Sequence, residues 1–101
     1  KEGVELEPEE PVALYVGILG KEARARAFGI VNQLRKQGII VETDYMDRSV
    51  KAQMKYANKL GAKKTVIIGT QELEDNLVRV KDMESGEQVE VALDQLAGLF
   101  V

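Results

Sequence analysis

Histidine, cysteine and tryptophan are all absent from this sequence. Without cysteine, neither disulfides nor thiolate metal sites can hold the chain together. Without histidine, it lacks the commonest general base and the commonest metal ligand. Proline is nearly absent too, and both residues, Pro8 and Pro11, sit in the first eleven positions. No apolar run approaches the ~20 residues that cross a bilayer, and no signal-peptide pattern opens the chain, so a cytoplasmic protein with no membrane partner is expected. The chain opens on Lys1 rather than Met, as a piece of a longer protein would.

What is present suffices for one domain. A chain of 101 residues, 45% hydrophobic and 31% charged, can bury roughly 60–70% of its unfolded surface. The net charge of -3 argues against a general nucleic-acid binder. Its distribution argues otherwise. The stretch DRSVKAQMKYANKLGAKK, residues 47–64, holds Arg48, Lys51, Lys55, Lys59, Lys63 and Lys64 against Asp47 alone, a balance of +5. The other eight bases and sixteen acids leave -8 elsewhere. Such asymmetry marks a polyanion footprint, or a solvated helix face.

Hydrophobic periodicity sets out the elements. Residues 1–11, KEGVELEPEEP, with five Glu and two Pro, read as a linker or arm. Residues 12–19, VALYVGIL, form a continuous apolar run, the pattern of a strand buried on both faces. Residues 21–37 place Ala23, Ala27, Ile30, Val31 and Leu34 on one helical stripe, with Gly38 as the terminator. A second strand follows at 39–44. A second helix begins after Ser49, a good N-cap, carries Val50, Met54, Ala57 and Leu60 as its apolar stripe, and ends at Gly61. TVIIG, 65–69, is a third strand. Helices joining strands this closely imply right-handed crossovers and a parallel arrangement. Residues 77–83 and 87–92 then alternate around Glu84-Ser85-Gly86, which predicts a hairpin and hence one antiparallel strand. A final helix is expected over Leu93, Leu96, Leu99 and Phe100. The fold class is α/β.

An open parallel sheet binds ligands beyond the carboxyl ends of its strands, where strand order reverses. Leu19-Gly20, Asp44 to Ser49, the start of the second helix and Gly69 to Glu72 converge there. Arg48, Lys51, Lys55 and Lys59 are spaced by three, four and four residues, one stripe on a helix. A basic stripe beside Tyr56 and Gln53 suits a nucleic acid: charge for phosphates, a ring for stacking, an amide for base edges. A solubilising lysine face, with Tyr56 packed at the sheet edge, accounts for the same residues. Other constellations are weaker. Gly17-x-x-Gly20-Lys21 lacks the spacing and hydroxyl of a phosphate loop. Asp44 and Asp47 suit turn and capping roles better than a cation site. Glu72, just past Gly69, suits the start of a helical turn. No nucleophile sits with a base, so no catalytic residues and no metal ligands are assigned.

Three segments carry a resemblance: VETDYMDRSVKAQMKYANKLGA (41–62), VIIGTQEL (66–73) and VKDMESGEQVEV (80–91). The order is Asp44, Arg48-Ser49, Lys51-Ala52-Gln53, Lys55-Tyr56-Ala57-Asn58, Gly61-Ala62, Gly69-Thr70-Gln71-Glu72-Leu73, then Lys81 to Gln88. In this ordered set the sequence resembles the C-terminal anticodon-binding domain of histidyl-tRNA synthetases, class II aminoacyl-tRNA synthetases, from Val12 to Leu99. Related synthetases for Thr, Pro and Gly commonly place Pro before the third strand, where this chain has Lys63-Lys64-Thr65. The family often has Gly after the Glu-Leu, where this chain has Asp75-Asn76.

The resemblance implies a three-layer α/β/α domain over 12–101, with a five-stranded mixed sheet of order 2-1-3-4-5 and one strand antiparallel. It implies a tRNA-binding module that docks the anticodon stem-loop of tRNA(His) and discriminates its GUG anticodon, while a separate domain of the parent catalyses aminoacylation. It assigns tRNA binding to Arg48, Lys51, Gln53, Lys55, Tyr56, Gly69 and Glu72. Arg48 and Lys51 would meet phosphates or bases, Gln53 and Tyr56 would read or stack on bases, and Glu72 would accept from a base. No cofactor is implied for the domain itself, and ATP and Mg belong to the parent's catalytic domain. The implied partners are tRNA(His) and that catalytic domain, in a homodimeric parent. The class II catalytic motifs are missing, so this chain would not aminoacylate alone. A synthetase-like regulatory or accessory domain that no longer reads tRNA is the competing reading.

Overall fold

The computed structural model describes residues 12–46 and 48–100, so the expected arm at 1–11 and Asp47 lie outside the described residues. The elements are β1 (Leu14–Leu19), α1 (Lys21–Lys36), β2 (Val41–Thr43), α2 (Val50–Leu60), β3 (Lys64–Gly69), α3 (Thr70–Asp75), β4 (Leu77–Asp82), β5 (Gln88–Ala92) and a 3₁₀ segment, Leu93–Leu99. The five strands make one sheet in the order β2-β1-β3-β4-β5. β1 runs parallel to β2 and β3, and β4 is antiparallel to both β3 and β5. This is the mixed sheet expected, with β4 as its reversed strand.

β1 is central, and its alternate residues feed two cores. Leu14, Val16 and Ile18 meet Ala23, Ala27, Val31 and Leu34 of α1, together with Val78, Val80 and Leu96. Tyr15 faces the other way, against Ala57 and Ala62, with Met54, Tyr56 and Leu60 around them. The second core is small because α2 lies over β1 and the near edge of β3. A Cβ on Gly17 would strike the Ile67 side chain and come within 3.1 Å of Gln53 Oε1. A side chain there would require Ile67 and the Gln53 amide to shift.

Helix ends follow local chemistry. The Ser49 hydroxyl accepts from the Ala52 N–H at 3.2 Å and caps α2. Gly61, at φ 73, closes it in the left-handed conformation. Asn76 is the one non-glycine with positive φ (55) among the described residues and ends α3. Asn is among the few side chains that tolerate this region.

The expected final helix is a 3₁₀ segment. Its leucines at 93, 96 and 99 recur every three residues, the period of a 3₁₀ turn. One expectation is corrected: in α2, the inward position belongs to Gln53 with Ala57, whereas Met54 is only half-buried.

Candidate nucleic-acid interface

The segment between β2 and α2 is organised by Asp44, whose side chain is 1% exposed. Its Oδ1 accepts from the Met46 N–H at 3.1 Å and from Arg48 Nε at 3.1 Å. Its Oδ2 accepts from the Arg48 N–H at 2.8 Å. Burial alone would push this carboxyl up. The two backbone N–H groups and the guanidinium outweigh it and hold Asp44 below the usual carboxylate range. The Arg48 guanidinium also lies over the Tyr56 ring, 4.6 Å from its centroid, within cation–π range. Tyr56 in turn meets Tyr15 edge-on, with centroids 6.1 Å apart.

Tyr15 is fully buried, and its hydroxyl has no hydrogen-bond partner among the described residues. Burial, aided by the negative charge of Asp44, raises its pKa to about 12. Tyr56 rests on it, half-buried, with the guanidinium of Arg48 across its face. From Arg48 the basic stripe continues along α2 as Lys51, Lys55 and Lys59, all exposed.

Gln53 has a different place. It is 0% exposed. Its Oε1 accepts from the Ile18 N–H at 2.7 Å, and its Nε2 donates to the carbonyls of Ile18 at 2.8 Å and Arg48 at 2.7 Å. The amide is thereby spent on backbone at the end of β1 and at the start of α2. It supports the surface from beneath and presents no free edge to a base.

Glu72 and Gly69 form a second locus at the end of β3. Glu72 Oε1 accepts from the Gly69 N–H at 2.8 Å. A Cβ at Gly69 would lie 3.0 Å from that oxygen and 3.3 Å from both Cβ and O of Leu19. Glycine here permits close approach rather than an unusual dihedral, since its φ is -122.

Glu72 also lines a groove of about 410 Å³ with Met54, Arg79, Lys81, Gln88 and Glu90. The groove exists because α2 covers only part of its side of the sheet. Val78 and Val80 turn towards the larger core, so their neighbours Arg79 and Lys81 stand on the opposite face, paired across the ladder with Glu90 and Gln88. Sequence reasoning missed these residues as part of a site. The available signal was the period-two alternation of the hairpin, with no third long helix to cover its polar side.

The structure thus gathers Arg48 and Tyr56 into one cluster at the head of a lysine stripe. It places Glu72 and Gly69 at the groove and puts Gln53 inside. The description "Anticodon binding domain" matches residues 13–101. A histidine–tRNA ligase of Thermoanaerobacter pseudethanolicus is 47% identical over 94 residues, which are 93% of this chain and 22% of that protein. One from Staphylococcus haemolyticus is 44% identical over 100 residues, 99% of this chain and 24% of that protein. The chain therefore spans about a quarter of the curated relatives it matches. The crystal structure of apo S. aureus histidyl-tRNA synthetase superposes with a TM-score of 0.87 at 43% identity, covering 96% of this chain and 25% of that one. The RNA-binding domain of a Cryptosporidium parvum threonyl-tRNA synthetase shares the fold, with a TM-score of 0.79 at 21% identity over 90% of this chain and 24% of that one. On the strength of the match across 13–101, the chain belongs to the anticodon binding domain family.

Proposed function

We propose that this chain is the anticodon-reading module of a histidyl-tRNA synthetase, adding affinity for tRNA(His) and discrimination of its GUG anticodon to aminoacylation carried out by a separate catalytic domain. The observation that carries this reading is the adjacency of two surfaces on one side of the sheet. Arg48, Lys51, Lys55 and Lys59 offer charge to a phosphate backbone. The groove beside them offers the carboxylate of Glu72 and the cations of Arg79 and Lys81 to base edges. Tyr56 supplies a partly exposed ring between the Arg48 guanidinium and the buried core. A stacked base is worth roughly 1–3 kcal/mol, and each phosphate contact steepens the salt dependence by about 0.7 in log–log slope for single strands. The rest of the chain carries a balance of -8, which opposes RNA docking away from the basic stripe.

ATP and Mg have no role in this module and act in the parent's catalytic domain. The parent is a cytoplasmic homodimer in this reading. The test is a titration of the chain with an RNA stem-loop carrying GUG and with a scrambled-anticodon loop, followed by backbone amide shifts at two salt concentrations. Shifts at Arg48 to Tyr56 and Gly69 to Lys81 that weaken with the scrambled loop are expected. Equal shifts with both loops would reduce the surface to an electrostatic clamp. No shifts at low salt would overturn the reading in favour of an accessory domain that does not read tRNA.

A further inference from the structure

We propose that Asp44, an acid on the basic side of the molecule, strengthens RNA binding by fixing the orientation of Arg48. The inference rests on the RNA-binding reading above and adds a positioning residue to it. Its sign is the opposite of what simple electrostatics gives. A carboxylate beside a polyanion site repels the ligand, and deleting it should tighten binding. The geometry points the other way. Asp44 is 1% exposed, so RNA does not meet it. Its carboxylate is consumed by the Met46 N–H, the Arg48 N–H and Arg48 Nε.

Arg48 is held at every other handle as well. Gln53 Nε2 donates to its carbonyl at 2.7 Å, and the Tyr56 ring lies under its guanidinium at 4.6 Å. Only its terminal amino groups have no partner among the described residues. Those two groups form the fork that grips a phosphate or the edge of a guanine. Lys51, Lys55 and Lys59 have no such anchoring among the described residues. Ordering a long side chain at an interface opposes binding, and an arginine already held in place avoids that cost. The depressed pKa of Asp44 keeps the carboxylate ionised at neutral pH.

The test uses the full chain and the GUG stem-loop, with far-UV circular dichroism and melting as controls for folding. Asp44→Asn is expected to weaken binding roughly 3- to 10-fold, the range for one unanchored long side chain. The same substitution in an Arg48→Ala background is expected to add nothing. Unchanged or tighter binding by Asp44→Asn would overturn the inference, and so would an undiminished effect without Arg48. Arg48→Lys, which keeps the charge and leaves Asp44 intact, is expected to weaken binding as well. Wild-type affinity in that variant would show that charge alone suffices and would sink the proposal even if Asp44→Asn failed to fold. A readout free of RNA separates this inference from the functional reading. The Arg48 Nε–H proton should exchange slowly with solvent in the wild type and quickly in Asp44→Asn. Slow exchange with no RNA binding would reject the tRNA reading while leaving the clamp intact, whereas fast exchange in the wild type would reject the clamp itself.

Discussion

Gln53 grips Ile18 at both backbone groups, accepting from its N–H at 2.7 Å and donating to its carbonyl at 2.8 Å, across 35 residues of chain. This amide clasp does for α2 and β1 what a further strand would do for a sheet edge. Gln53→Ala leaves the buried Ile18 N–H and carbonyl and the part-buried Arg48 carbonyl without that partner. With about 1–3 kcal/mol for each orphaned group, partly relieved by water, a loss of about 3 kcal/mol in urea titration is expected. A change below about 0.5 kcal/mol would return Gln53 to the surface as a base reader.

The lysine stripe should act as charge and little else. Replacing Lys51, Lys55 and Lys59 together by Ala is expected to lower the slope of log K against log salt by about 2, from about 0.7 per phosphate contact. The preference for GUG over a scrambled loop should survive, because these lysines carry no base-reading geometry. An unchanged slope would assign the phosphate contacts to another face.

Groove residues should show the reverse pattern. Arg79 and Lys81 are exposed, and the Arg79–Glu90 pair is long, at 3.8 Å, and open to solvent. Such pairs contribute about 0–1 kcal/mol. Lys81→Ala and Glu72→Gln should therefore narrow the affinity gap between GUG and scrambled loops. Lys81→Ala should leave thermal stability nearly unchanged. Glu72→Gln should cost about 1 kcal/mol, since it also weakens the acceptor for the Gly69 N–H.

Tyr15 sets an alkaline limit. Its pKa is raised from 10.0 to about 12 in the folded state, so the native protein holds a proton that the unfolded chain releases earlier. The stabilisation is complete below the unfolded value of 10.0 and is lost as pH rises through about 12. Chemical denaturation from pH 9 upward should show stability falling across that window, and Tyr15→Phe should flatten the fall. Asp82 sets the acid counterpart. The N–H groups of Ser85 and Glu84 and the Lys64 ammonium hold it at about 2 instead of 3.8. Its contribution is present above 3.8 and lost as pH falls towards 2. Asp82→Asn should weaken that acid dependence and loosen the hairpin turn.

Much of the fold was legible because each element announces itself locally. Ala23, Ala27, Val31 and Leu34 recur at helical spacing, and all four are buried. Ser49 caps α2, and Gly61 closes it. Val78, Val80, Val89 and Val91 alternate as a hairpin must. The misreadings have physical causes. Gln53 lies on the stripe with Ala57 and Leu60, yet its polarity suggested the surface. Its partner is the backbone of a distant strand, which no local pattern encodes. Arg79 and Lys81 were overlooked because their importance depends on what α2 fails to cover, a property of packing in three dimensions. Lys51 and Lys55 read the same from the sequence as they stand in the structure, exposed on one face.

The hairpin of β4 and β5 keeps two kinds of residue apart with unusual strictness. Val78, Val80 and Val91 serve the large core, while Arg79, Lys81, Gln88 and Glu90 stand on the uncovered side. All four side chains are exposed, so the positions can be randomised as a set at little expected cost to the scaffold. Such a library would hold the backbone, the α2 clasp and the solubility of the domain constant while varying only the chemistry offered to a bound base. Selection against loops of altered sequence would then test whether any choice among bases resides in a few interchangeable side chains on a bare half-sheet.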